Sequence, residues 1–379
     1  MGVRVLEVGN YMAGPFCGMQ LADLGAEVIK VENPDGGDQV RASAPLIDGE
    51  GSAFMRLNRN KRSMALDLKT DRGKEIFRKL VGTADVVVEN LRPGTMADLD
   101  LAYEELRVIN PGLVYVAASG WGQDGPLRDQ PGMDIMAQAR SGLMSITGTE
   151  GGDPVKVGVP ICDLVCALYG ALAAVAALHV RSTTGLGQFI DVSLLEAGVS
   201  LAIWEAGLFF ATGEVPRASG SAHQSAAPYQ AFRVADGWLK RLLDDPRYAD
   251  TSTRHRHRDS LIPIIEKVMV TKPTASWLAL LEIAGVPCAP IERFDQVFSD
   301  AHLNARDYFW DASHPKLGPV RQLGSPMRFS GTPVRRENAG PLLGEDSASL
   351  LSELGYTPAE ISALMARRVA VGPPQPVSS

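Results

Sequence analysis

The chain has 379 residues, of which 45% are hydrophobic and 21% charged, with a formal net charge of −7. That length predicts two domains, or one large and one small, and that balance is the one of a soluble globular chain with a full core, so disorder is excluded for most of it. The acidic charge argues against a nucleic-acid partner, which calls for a basic face.

The N-terminal third alternates strand and helix. Residues 3–8 read as an apolar strand, 13–24 as a helix entered through Gly14-Pro15 and ended by Gly25, and 26–31 as a second strand. Residues 63–68 read as a third strand, 70–81 as a helix ended by Gly82, and 84–89 as a fourth strand broken by Arg92-Pro93-Gly94. Residues 103–109 are a short helix stopped by Asn110-Pro111, and 113–118 a fifth strand. This spacing predicts an α/β fold around a parallel sheet, with ligands beyond the carboxyl ends of the strands. Those ends are residues 9–14, 32–34, 90–94 and 119–122. Residues 131–147 read as helical, 163–181 as a long helix, 189–192 as a strand and 194–210 as another apolar helix. Residues 212–228, rich in Gly, Ser, Ala and Pro, read as a linker or loop. Residues 228–238 return to strand and turn, 259–270 and 274–284 are amphipathic helices, 285–291 and 315–329 read as strands, and 348–365 as a closing helix. The tail 371–379 is expected to fray. No leader is expected, because Met1-Gly2-Val3-Arg4 runs straight into Val5-Leu6-Glu7-Val8. The longest uncharged apolar run, 164–180, is 17 residues long, flanked by Asp163 and Arg181, and reads as a core helix rather than a membrane span.

No G-x-G-x-x-G follows a strand, and neither a P-loop nor a G-x-S-x-G elbow occurs. The six histidines are dispersed, and Cys17, Cys162, Cys166 and Cys288 complete no metal site, so the cysteines read as buried thiols in a reducing cytoplasm. Asp163 stands between apolar Val159-Pro160-Ile161-Cys162 and Leu164-Val165-Cys166. It reads as the N-cap of the long helix, or as a carboxylate nucleophile at a helix N-terminus, and the two readings are compatible. Asp134 reads as a helix-start residue or a second functional acid. Asn90 and Arg92 read as turn residues or ligand contacts. Lys61, Arg62 and Lys69 read as surface bases, and the basic run 254–258 as a solvated helix flank.

Several strings combine. They are Ala13-Gly14-Pro15 with Leu21-Ala22-Asp23-Leu24-Gly25-Ala26-Glu27-Val28-Ile29-Lys30-Val31-Glu32, then Asn60-Lys61-Arg62-Ser63 with Leu66-Asp67-Leu68-Lys69. Next come Asp85-Val86-Val87-Val88-Glu89-Asn90 with Arg92-Pro93-Gly94, Asn110-Pro111, and Thr184-Gly185-Leu186-Gly187-Gln188. Gly285-Val286-Pro287-Cys288-Ala289-Pro290 and Leu342-Leu343-Gly344-Glu345 complete the set. In this order they resemble the class III CoA-transferase family, the CaiB/BaiF group, which includes formyl-CoA:oxalate transferases and α-methylacyl-CoA racemases. The resemblance covers nearly the whole chain.

It implies a large Rossmann-like domain with a parallel sheet, built from residues 1–210 and 316–379, a linker at 211–225 and a smaller α/β domain at 226–315. It also implies an interlocked homodimer in the cytoplasm. The substrates would be an acyl-CoA and a small carboxylic acid, with no permanently bound cofactor and no metal, nucleic acid or membrane. By motif match Asp163 is the catalytic aspartate. The matching CoA contacts are Met12, Ala13, Asn33, Leu66, Lys69, Asn90, Leu91, Arg92, Met133 and Asp134. The implied chemistry is CoA transfer through an aspartyl anhydride and an aspartyl-CoA thioester. A racemase-like enzyme and an inactive CoA-binding paralogue are the alternatives. Racemases carry His-Asp where this chain has Met133-Asp134, so transfer is preferred. Asp98 stands where an arginine is typical, which puts one phosphate contact in doubt. The glycine-rich loop of the formyl-CoA branch is not recognisable, Ser219-Gly220-Ser221-Ala222-His223 standing near its place. After Asp236-Gly237-Trp238 the chain passes almost at once to Leu242-Leu243-Asp244-Asp245-Pro246-Arg247, so the small domain reads as shortened.

Overall fold

A computed structural model of the chain describes residues 2–235, 237–240 and 251–373. Seven strands form its main sheet: β1 (Arg4–Val8), β2 (Glu27–Glu32), β3 (Lys61–Leu66), β4 (Val86–Glu89), β5 (Val114–Ser119), β6 (Phe189–Ser193) and β7 (Ala370–Val371). Their order is β7-β3-β2-β1-β4-β5-β6. The first six run parallel, in the order of a doubly wound Rossmann-like sheet. β7 pairs antiparallel with β3 at the edge, and the sequence does not predict it. The order reverses between β1 and β4, which puts a crevice outside the carboxyl ends of those strands.

Helices cover both faces, so the central strands are largely apolar. One face takes Leu6, Ile29, Met64 and Val87, packed with Ile76, Phe77 and Leu80 of α2 (Asp71–Val81) and with Leu350 and Leu364 near the chain end. The other takes Val5, Val28, Val88 and Val116, packed with Cys17 of α1 (Ala13–Asp23) and with a stripe of alanines. That stripe, Ala167, Ala171, Ala174 and Ala177, belongs to α4 (Ile161–Thr184), and its helical spacing lets a long helix lie close on the sheet. Among the described residues α4 is the single helix long and apolar enough to cross a membrane by length and composition.

Three expected helices are broken. The segment 131–147 splits into α3 (Asp134–Arg140) and Leu143–Ile146, because Gly142 takes φ +87°. The segment 194–210 splits into α5 (Leu194–Ser200) and Ile203–Thr212. The closing helix splits into Ser347–Glu353 and Pro358–Ala366, with Gly355 at φ +86° between them. Residues 285–291 are not among the described strands. The strands expected over 315–329 are instead a hairpin, Phe309–His314 with Gly318–Leu323.

The chain divides into two compact units. One comprises Met1–Ser141, Gly158–Ala202 and Arg306–Ser379, the other Gly142–Val157 and Ile203–Ala305. Residues 142–157 and 203–210, assigned from sequence to the large domain, fall in the second unit, and 306–315 in the first. The second unit pairs Ala231–Val234 with Gly237–Lys240 and packs Phe232 and Val234 on Leu261, Ile265, Met269, Trp277 and Leu281. The stretch 242–247, where the chain reads as shortened, and the tail 374–379 lie outside the described residues.

Candidate active site

Residues far apart in the chain build the start of α4. Gly120, just past β5, and Gly132 meet backbone to backbone, and a Cβ on either would lie 2.7 Å from the other's Cα. Two glycines permit that approach, and it brings the Met133–Asp134 turn to the strand ends. Asp134 opens α3, and its Oδ1 accepts from the backbone N–H groups of Cys162 at 2.9 Å and Asp163 at 3.4 Å. Its Oδ2 accepts from the amide of Gln138, one helical turn on, at 2.6 Å. The same amide reaches Val159 O at 3.4 Å. The N-cap residue of α4 is Pro160, whose side chain caps nothing. Asp134 therefore caps α4 from a neighbouring helix.

This corrects the reading of Asp163 as the cap of its own helix. Asp163 lies inside the first turn of α4, where Asp134 already occupies the free backbone donors. Its side chain is partly buried, and no described residue donates a hydrogen bond to its carboxyl. Burial, and after it the negative charge of Asp134, push its pKa up from 3.8 to about 7. α5 closes on the same turn. A Cβ on Gly198 would stand 2.7 Å from Ser141 Oγ and 2.9 Å from Cys162 Sγ, so no side chain fits there.

A cavity of about 370 Å³ lies at the carboxyl ends of β1, β2 and β3. Leu66, Leu68, Leu91 and Leu99 give it apolar walls, with Asn10, Asn33 and Gln39 as hydrogen-bonding groups. Lys69 is the single cation in its lining, which also holds the carboxylates of Glu32, Asp67 and Asp98. Apolar walls with a few placed polar groups are the make-up of a small-molecule pocket. The departure at Asp98 thus places a carboxylate in this wall.

The expected site residues fall into groups. Asn33, Leu66, Lys69 and Leu91 line the cavity. Asp163, Asp134 and Met133 gather at the start of α4, with Met133 63% exposed. Met12 is the N-cap residue of α1 and Ala13 its first residue. Asn90 grips the turn before them, its Oδ1 accepting from Asn10 N–H at 2.9 Å and its Nδ2 donating to Asn10 O at 2.8 Å. Leu91 N–H donates to Glu89 at 2.7 Å, and burial pushes the Glu89 pKa up to about 8. Arg92 is exposed and makes no ion pair among the described residues.

Sequence reasoning missed Gln138 and the charges inside the strands. Lys61, expected at the surface, is fully buried and pairs with Glu7 of β1 at 2.6 Å. Single charges within the apolar runs Val5-Leu6-Glu7-Val8 and Val28-Ile29-Lys30-Val31 are the signal that finds Glu7 and Lys30. All four cysteines are free, and three of them are buried, Cys288 being partly exposed. No cluster of metal-ligating side chains occurs among the described residues.

The sequence matches the model of CoA-transferase family III over residues 1–241 and 239–347. The chain belongs to this family. This family III CoA-transferase is 37% identical over 373 residues to the succinyl-CoA:glutarate CoA-transferase of Mus musculus, covering 93% of this chain and 86% of that one. It is 38% identical over 382 residues to the succinyl-CoA:mesaconate CoA-transferase of Haloarcula hispanica, covering 93% and 96%. Among solved structures it resembles a CaiB/BaiF family protein from Brucella suis with a TM-score of 0.85 at 35% identity, over 93% of this chain and 98% of that one. The two matched stretches meet at 239–241, beside the point where the transferase reads as shortened.

Proposed function

We propose that this family III CoA-transferase moves CoA from a dicarboxylic acyl-CoA of the succinyl-CoA kind to a second free carboxylic acid, with Asp163 as nucleophile. The acid class is supported by the relatives, which are named for succinyl-CoA with glutarate or mesaconate. The observation that carries the mechanism is the Asp163 carboxyl, partly buried without a hydrogen-bond donor among the described residues beside a helix start already capped by Asp134. A carboxylate not held by hydrogen bonds keeps its basicity, which suits a nucleophile.

The Asp163 carboxylate attacks the thioester carbonyl and expels CoA thiolate, leaving a mixed anhydride. The thiolate attacks the Asp163 carbonyl of that anhydride, releasing the donor acid and forming an aspartyl-CoA thioester. The acceptor carboxylate attacks this thioester, again giving an anhydride and a thiolate. The thiolate then takes the acceptor's acyl group, and Asp163 returns as a carboxylate. One activated acyl bond replaces another at each step. Incubation with succinyl-CoA and no acceptor should leave CoA joined to the peptide containing Asp163, read by mass spectrometry. An active enzyme that carries its adduct on another residue would refute the assignment.

Asp163 must be ionised to attack. Below about pH 7 its neutral fraction grows, so kcat should fall about tenfold per pH unit. Asp134→Asn keeps an oxygen for the cap but removes the charge, so the acid limb should move to lower pH. A profile identical in both proteins would exclude Asp134 as an influence on the nucleophile.

The same reading includes a homodimer. Away from its alanine stripe, α4 exposes Leu168, Leu172 and Val175, with Leu172 66% exposed. Contiguous apolar surface of this kind marks an interaction site. An interlocked pair does not separate without unfolding, so the mass should stay dimeric on dilution to nanomolar protein. A monomer by light scattering at micromolar protein would contradict this.

A further inference from the structure

The turn leaving β1 is held at three consecutive residues by side chains from three other segments. Lys30 Nζ donates to Gly9 O at 2.7 Å. Asn90 takes both backbone groups of Asn10, at 2.9 and 2.8 Å. Asp38 Oδ1 accepts from Tyr11 N–H at 3.2 Å. Tyr11 stands at φ +61°, a left-handed conformation that a residue with a Cβ adopts only when its surroundings hold it there.

The holding groups form one buried network. Lys30 pairs with Asp38 at 3.0 Å and with Glu7 at 2.8 Å, and Glu7 pairs with Lys61 at 2.6 Å. All four side chains have 0% exposure. Lys61 also donates to Pro15 O in α1 at 2.7 Å and to Asn58 Oδ1 at 2.8 Å. One network therefore grips both the turn and the helix that the turn feeds. Replacing buried ion pairs by apolar residues of similar volume is often neutral or stabilising, so stability alone does not account for four buried charges. Their placement does. Gly9 and Asn10 line the cavity, and Met12 and Ala13 follow after Tyr11.

We propose that Glu7, Lys30, Lys61 and Asp38 are positioning residues that hold the backbone of residues 9–13 in the one conformation that receives the acyl-CoA. This rests on the reading of the chain as an enzyme of acyl-CoA. A turn fixed before the ligand arrives loses no conformational freedom on binding, so the network acts on affinity for the CoA end.

The test measures KM for succinyl-CoA, kcat and the affinity for free CoA in four variants, with Tm as the check on folding. Asp38→Asn keeps an oxygen for Tyr11 N–H but breaks the buried ion pair with Lys30, so KM should rise by less than in Asp38→Ala. Asp38→Ala removes it and should raise KM and the CoA dissociation constant about tenfold, with kcat moving less. Tyr11→Val gives up the hydroxyl's hydrogen bond to Gln39 but leaves the four buried charges intact, and a β-branched residue resists positive φ, so KM should rise here too. Tyr11→Gly takes that φ freely, and in the double variant with Asp38→Ala the KM effect should shrink. Folded Asp38→Ala and Tyr11→Val proteins with wild-type KM and CoA affinity would overturn the proposal. A wild-type protein that binds CoA but turns over no acyl-CoA would instead overturn the functional reading, and the CoA affinities of the variants would still decide this one.

Discussion

Asp163→Asn should fold, bind CoA and lose turnover by about 10⁴-fold or more, the scale of losing a covalent nucleophile. An amide oxygen is a far poorer nucleophile than a carboxylate, and no neighbouring oxygen is placed to replace it, since Asp134 is committed to the helix cap. The fold should survive because the Asp163 carboxyl accepts no hydrogen bond among the described residues and does not cap α4. Stability should in fact rise. A carboxyl whose folded pKa is raised from 3.8 to about 7 binds protons more tightly in the folded state. Its contribution is fully present below about pH 4 and is lost as pH rises to about 7. At pH 8 the wild type therefore carries a partly desolvated charge that the asparagine variant lacks, and the variant should melt higher, with the gap closing towards about pH 4. The aspartyl-CoA adduct should be absent from the variant. Wild-type turnover in Asp163→Asn, with deamidation excluded by mass, would sink the mechanism.

The sheet is legible in the sequence because most of its parallel strands are short, largely apolar runs closed by a turn. Val86-Val87-Val88 before Glu89-Asn90 is of that kind, and burial on both faces leaves no alternation to confuse it. The helix breaks at Gly142 and Gly355 are hidden because the apolar pattern continues through them, and a single left-handed glycine is enough to turn the chain. β7 is hidden because two residues carry no pattern. The site is half legible. Asp163 is conspicuous as one acid in an apolar stretch, but which acid caps the helix depends on where Gly120 and Gly132 bring α3. The burial of Lys61 depends likewise on Glu7, a partner on another strand, and composition near Lys61 gives no sign of it. Local preference finds elements, and pairing across the sheet decides what their charges do.

That pairing also bears on the racemase alternative. 2-Methylacyl-CoA in deuterium oxide should gain α-deuterium at least about 10²-fold more slowly than CoA is transferred, the least that a missing general base removes. Racemisation needs an acid/base group on each face of the α-carbon, within reach of the proton. Asp163 is available for one face. On the other, Met133 offers a thioether that neither takes nor gives a proton. Asp134 is occupied at both oxygens, Oδ1 by the N–H groups of Cys162 and Asp163 and Oδ2 by Gln138 at 2.6 Å. Taking a proton would break these bonds and weaken a helix cap worth about 1 kcal/mol. Transfer meets no such obstacle, since it needs one carboxylate and a thiolate that the reaction itself supplies. Met133→His is the converse probe. Residue 133 precedes α3 and is exposed, so an imidazole there adds a base without disturbing the core. Slow α-exchange should appear in that variant while transfer to an added acid persists. Exchange in the wild type as fast as transfer, and independent of any acceptor acid, would make Asp134 a working base despite its bonds and the chain a racemase-like enzyme.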